Sequence, residues 1–182
     1  MTQYTRIATP VAALGLLLGL ATSALPTGPA GADQTGQARQ TPAGDDPDTK
    51  EYRNFRLSMD NVDKYVAASK ALVKLTHDNP ALERQLESQS DTTTIEAAVK
   101  TTEKYPEVTA AIKNVGLSIR DFVVMSGTLM GAEMAVGMKK QGQIKAYPPS
   151  VSPENIAFVE QNWDKLNAMM KAVAEAAGPP NR

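Results

Sequence analysis

Residues 122–138 read FVVMSGTLMGAEMAVGM, and this stretch decides the fold class. It carries a single charge, Glu133, and no proline. A helix that is apolar nearly all round must be covered on most sides, so the stretch predicts a central, largely buried helix. Ser118-Ile119-Arg120-Asp121 precedes it and resembles a capping box with Asp in place of the usual Glu. A bilayer span needs ~20 apolar residues. This run is slightly short of that, and Glu133 and three glycines weaken a membrane reading further. Two stripes compete for the inward side. One is Ile119, Phe122, Ser126, Leu129, Glu133 and Val136; the other is Val123, Gly127, Met130, Met134 and Gly137.

On the C-terminal side, Ser152-Pro153-Glu154 opens a second long helix. Ser is a good N-cap, Pro suits the first helical position, and Glu suits the positive end of the helix dipole. Ile156, Val159, Trp163, Leu166, Met170, Val173 and Ala177 then recur at three and four residues, which makes a packing seam. Gly178-Pro179-Pro180 stops it. On the N-terminal side, Val62, Tyr65, Val66, Ser69, Leu72, Val73 and Thr76 mark another long helix, capped by Ser58 or Asp60 and ended by Asn79-Pro80. Short helices fill the gap: one from Pro80, one after a Thr93–Glu96 capping box, and one from Pro106 to Gly116. No strand alternation appears. The expected fold is all-α, an irregular helical bundle with three long helices braced by short ones over residues 52–178, with a tail at 179–182.

The N-terminus reads as an address. A short polar start with Arg6 leads into VAALGLLLGL at 11–20 and then small residues. That is the pattern of a secretory signal peptide, ending after Ala24 or as late as Ala32. Residues 25–51 are rich in Pro, Gly, Gln, Thr and Asp, and are expected to form a disordered linker. Its acidic cluster, Asp45, Asp46 and Asp48, reads as solvated linker rather than a cation site. The mature protein is therefore expected to be periplasmic or secreted, with no stable membrane span.

Composition narrows the function further. There is no cysteine, which removes disulfides, thiolate metal sites, a Cys nucleophile and covalent haem attachment. Nineteen basic against twenty acidic residues leave no broad positive surface for nucleic acid. Aromatics are only 5%, so the core must be built from aliphatic residues and Met.

Three strings, Phe55-Arg56-Leu57-Ser58, GLSIRDF at 116–122 and PENIAF at 153–158, together resemble a group of exported bacterial helical proteins of unknown function. The resemblance covers residues 52–177 and implies a helical domain. It carries over no catalytic residue.

The ligand-binding candidates are Glu133, Met130, Met134 and Trp163. A carboxylate on a mostly buried helix must be paired, protonated or turned to a cavity. For Glu133 the favoured role is a salt-bridge partner or rim residue. His77, the only histidine, falls at a helix C-terminus, where a structural role is favoured. Gly127 and Gly131 form a small-xxx-small pair suited to close helix contact. Met125, Met130, Met134, Met138, Met169 and Met170 read as core filling; thioether copper binding would need exposed, clustered Met. A haem held by His77 and a Met is weaker still. No catalytic set, metal site or cofactor is predicted. The leading reading is an exported helical binding or interaction module for a small apolar ligand or a protein partner. The alternatives are a small envelope enzyme using Glu133 as acid or base, with Asp121, Arg120 or His77, and a structural envelope protein.

Overall fold

In a computed structural model, residues 46–88 and 93–177 are described. Among the described residues seven helices run in the order α1 (Pro47–Asn54), α2 (Met59–Asp78), α3 (Pro80–Glu87), α4 (Ile95–Glu103), α5 (Pro106–Lys113), α6 (Ile119–Lys140) and α7 (Pro153–Ala176). There is no strand among the described residues. Three long helices braced by short ones are the arrangement the periodicity predicts; of the four short ones, α1 is the one it did not. Among the described residues no helix is long and apolar enough to cross a membrane. The N-terminal address, both cleavage points, Asp45 and the tail at 179–182 lie outside the described residues.

The local signals act as their chemistry requires. Ser58 and Asn61 close a reciprocal capping box at the start of α2. Asn79 ends α2, and its side chain then accepts from the Leu82 N–H to start α3, so one residue serves two helices. Ser118 caps α6 by accepting from the Asp121 N–H, while its hydroxyl donates to the Asp121 carboxylate at 2.6 Å. Thr94 caps α4 through the Ala97 N–H; Glu96 does not close a box there and pairs with Lys100 and Arg120 instead. Gly116 follows α5 at φ +81°, a left-handed conformation that costs glycine little.

α6 is the hub and touches α1, α2, α4, α5 and α7. Phe122, Val123, Val124 and Met125 are all buried, so the turn after Asp121 is covered on every side. α7 packs along α6 and α2, burying Ile156, Val159, Leu166 and Val173. The core is aliphatic, as the low aromatic content demands.

The linker expected over 25–51 is corrected at its C-terminal end, because α1 begins at Pro47 and the ordered domain starts before Tyr52. α1 buries no residue completely, so its polar sequence looks like linker. Tertiary contacts fix it. Asp46 accepts from the Thr49 N–H as N-cap, and Pro47 takes the first turn. Asp48 reaches across to accept from the Ile95 N–H at 2.8 Å, serving the start of α4. Arg120 grips both oxygens of Glu51 at 2.7 and 2.6 Å and also pairs with Glu96, tying α1, α4 and α6 together. The Tyr52 ring lies against Gly127, and the Tyr52 carbonyl accepts from the Thr128 hydroxyl.

The two glycines of the small-xxx-small pair therefore differ. A Cβ on Gly127 would sit 2.5 Å from a Tyr52 ring carbon, whereas on Gly131 the nearest atom is a Val151 methyl at 4.0 Å. Gly131→Ala should stabilise the domain by about 0.5–1 kcal/mol through helix propensity alone. Gly127→Ala must push the ring aside, so it should lose that gain and release α1. Denaturant titration of both variants, with amide exchange over 47–54, checks the contrast; equal stabilisation would mean Tyr52 does not seat on Gly127.

Candidate functional site

The inward stripe of α6 is the first of the two. Ile119, Phe122, Ser126, Leu129 and Val136 are buried, and Glu133 lies half-buried in the same row. Behind that row sits a small polar cluster from α2. The Tyr65 ring packs on Phe122 with centroids 5.1 Å apart, and the Tyr65 and Ser126 hydroxyls are 3.1 Å apart. Ser69, one turn further along α2, is fully buried; its hydroxyl approaches Tyr65 without reaching hydrogen-bond geometry and has no other partner. Burial pushes the Tyr65 phenol up, Ser126 and Ser69 oppose the shift, and the Glu133 charge adds to it.

Glu133 is not a salt-bridge partner. It makes no ion pair or hydrogen bond among the described residues. Burial alone pushes its carboxyl up to about 7. The basic residues nearest in sequence are held elsewhere. Lys139 donates to the Lys145 carbonyl and lies 5.6 Å from the Tyr147 ring; Lys140 lies 5.0 Å from the Trp163 ring. The rim half of the expectation fits; the salt-bridge half does not.

The competing stripe turns outward along the second half of α6. Met134 is 61% exposed, the one large exposed hydrophobic among the described residues, and Met130 is half-buried beside it. At 100° per residue, Met130, Glu133, Met134 and Gly137 fall within about one third of the helix circumference. Trp163 reaches this face from α7: its ring would lie 3.5 Å from a Cβ on Gly137. The structure thus places all four candidates, Met130, Glu133, Met134 and Trp163, on or beside one face.

The methionines divide into two groups. Met125 is fully buried, and Met169 and Met170 pack against the core, as the core-filling reading requires. Met130, Met134 and Met138 stand outside both the core and the half-buried residues packed on it, so core filling does not describe them.

Other candidates are elsewhere. His77 is exposed in the last turn of α2, beside the Lys74–Asp78 ion pair at 2.6 Å. Lys74 holds the Asp78 carboxyl below its usual range. Asp46 and Asp48 serve as helix caps, and no group of three or more His, Asp or Glu could hold a metal ion among the described residues. An open groove of about 600 Å³ lies between α1 and the start of α6, lined by Lys50, Glu51, Phe55 and Val124, well away from Glu133.

One structural residue escaped sequence reasoning. Asn155 is 1% exposed; its amide donates to the Phe55 carbonyl at 2.8 Å and accepts from the Leu57 N–H at 3.0 Å. Arg56 meets Glu154 at 2.7 Å beside it. Two of the three familiar strings, around 55–58 and 153–158, are therefore the two halves of one junction.

These observations define an all-helical domain with a half-buried carboxylate and an outward thioether face on its central helix. The chain matches no family model, no curated protein and no solved structure.

Proposed function

We propose that the chain is an exported helical binding module that takes its ligand or partner on the Met130–Met134 face of α6. The observation that carries this reading is the exposure of Met134, at 61%, on a helix whose other large apolar side chains are half-buried or buried. Methionine side chains are flexible and polarizable, which suits adaptable binding surfaces. Trp163 borders the face, half-buried against the core with the Lys140 ammonium 5.0 Å from its ring. The signal-like N-terminus supports export, to the periplasm or the medium.

The geometry gives less support to an enzyme. A carboxyl near pH 7 suits general acid–base work. Yet Arg120 and Asp121 lie 13 and 12 residues back on the same helix, roughly 18–20 Å away by helix rise. Arg120 is also occupied by Glu51 and Glu96. His77 stands at the exposed end of α2, twelve residues beyond Tyr65. Glu133 would have to act with hydroxyls alone.

Native mass spectrometry of the chain recovered from its own cells tests the proposal. The expected result is extra mass that leaves on denaturation. A Met130→Lys/Met134→Lys chain should lose that mass while melting at nearly the same temperature, since neither residue belongs to the core. A bare monomer from the unsubstituted chain, or extra mass that survives the double substitution, overturns it.

A further inference from the structure

Exposed Met134 and half-buried Met130 and Met138 follow a strict spacing. Met130, Met134 and Met138 are four residues apart, so each stands one helical turn above the last, with Cβ atoms roughly 5–6 Å apart. Three rotatable bonds let neighbouring Met side chains bring their sulfurs together. None of the three belongs to the core, and Met134 is exposed. Thioether sulfur is a soft donor that selects soft cations such as Cu(I). It competes here with no thiolate, because the chain has no cysteine, and with no nearby imidazole, because the sole histidine lies at the end of α2. A carboxyl that can ionise stands beside the row. Glu133 is three residues beyond Met130 and adjacent to Met134, and it has no ion pair among the described residues. Hard cations fit poorly, since Ca²⁺ takes ~6–8 oxygen ligands and no acidic group of that kind is assembled among the described residues.

We infer that the Met130–Met134–Met138 row of α6 binds one soft monovalent cation, of the Cu(I) class, between the thioethers of successive turns, with the Glu133 carboxylate beside it. Met134 is the common member, because it neighbours both of the others. The inference names a ligand class for the face proposed above and rests on that reading only in taking the face as the binding surface.

Ag(I) serves as the probe, a soft monovalent ion that needs no reductant. The full chain is titrated with Ag(I) and with Zn²⁺ and read by native mass spectrometry and competition against a thioether chelator. One Ag(I) per chain is expected, with little Zn²⁺. Met134→Leu keeps the volume and removes the sulfur; it should weaken Ag(I) binding about tenfold or more. Met169→Leu, against the core, should leave it unchanged. Bound Ag(I) should also slow peroxide oxidation of Met134. No retained Ag(I), equal retention by Met134→Leu, or equal binding of Zn²⁺ overturns the inference. Those results leave the partner-mass experiment untouched, because that experiment is read without added metal, so the two readings fail separately.

Discussion

Asn155→Ala should lower the unfolding free energy by roughly 3 kcal/mol. The residue is fully buried at the start of α7, and its amide satisfies two backbone groups of the α1–α2 connection, the Phe55 carbonyl and the Leu57 N–H. Truncation leaves both without a partner. A buried polar group so stranded costs about 1–3 kcal/mol. Leu57 also sits in the core, so the connection cannot swing out to water without pulling an apolar side chain with it. The neighbouring Arg56–Glu154 pair does not compensate, because both side chains are 61% exposed and such pairs contribute about 0–1 kcal/mol. Asn155→Asp tests the same junction by other means: it keeps an acceptor for Leu57 but sets a carboxylate against the Phe55 carbonyl. It should cost at least as much as alanine near neutral pH. Urea titrations of the three chains check this, with amide exchange at Leu57 as the local readout. A loss below about 1 kcal/mol for alanine would show that the junction is wet and the amide dispensable.

Asn155 also shows where sequence reading stops. Its partners lie 98 and 100 residues earlier, and no local pattern encodes a pairing of that range. α6 was legible because one charge in a long apolar run is a statement about burial that needs no partner. α2 and α7 were legible because period and caps are local. α1 was not, because its local signals stop at the Asp46 cap and Pro47; a bidentate Arg120–Glu51 pair, the Tyr52 ring on Gly127 and the Asp48 bond to Ile95 hold it, and each of these three depends on the body of the domain. The face of Glu133 stayed open in the sequence for a different reason. Both stripes of α6 are apolar, and coverage changes along the helix. Near Phe122 every side is buried, while near Met134 one side is open. A single stripe cannot describe a helix whose surroundings differ at its two ends.

That half-covered position has a thermodynamic consequence. The Glu133 carboxyl is held at about 7 in the folded protein, against 4.5 ordinarily, because burial disfavours its charged form. Between those two values the folded state keeps a proton that the unfolded chain has released. Stability therefore falls as pH rises through this window, and the full penalty is present above about 7. The shift sets an upper limit of about 3 kcal/mol on the effect, and partial exposure of the side chain reduces it. Glu133→Gln keeps the shape and removes the charge. At pH 8 it should be more stable than the unsubstituted chain, by an amount approaching that limit. The two should converge only below about 4.5, where Glu133 is protonated in the folded and the unfolded chain alike. Tyr65 is the titratable group that feels Glu133, and its phenol is pushed above its usual value, so it stays neutral across this range and does not blur the comparison. Stability curves of both chains from pH 4 to 8 check the prediction. A constant difference would mean the carboxylate is solvated. It would also remove the basis for an acid or base role at this residue, because that role needs a carboxyl still protonated near neutrality.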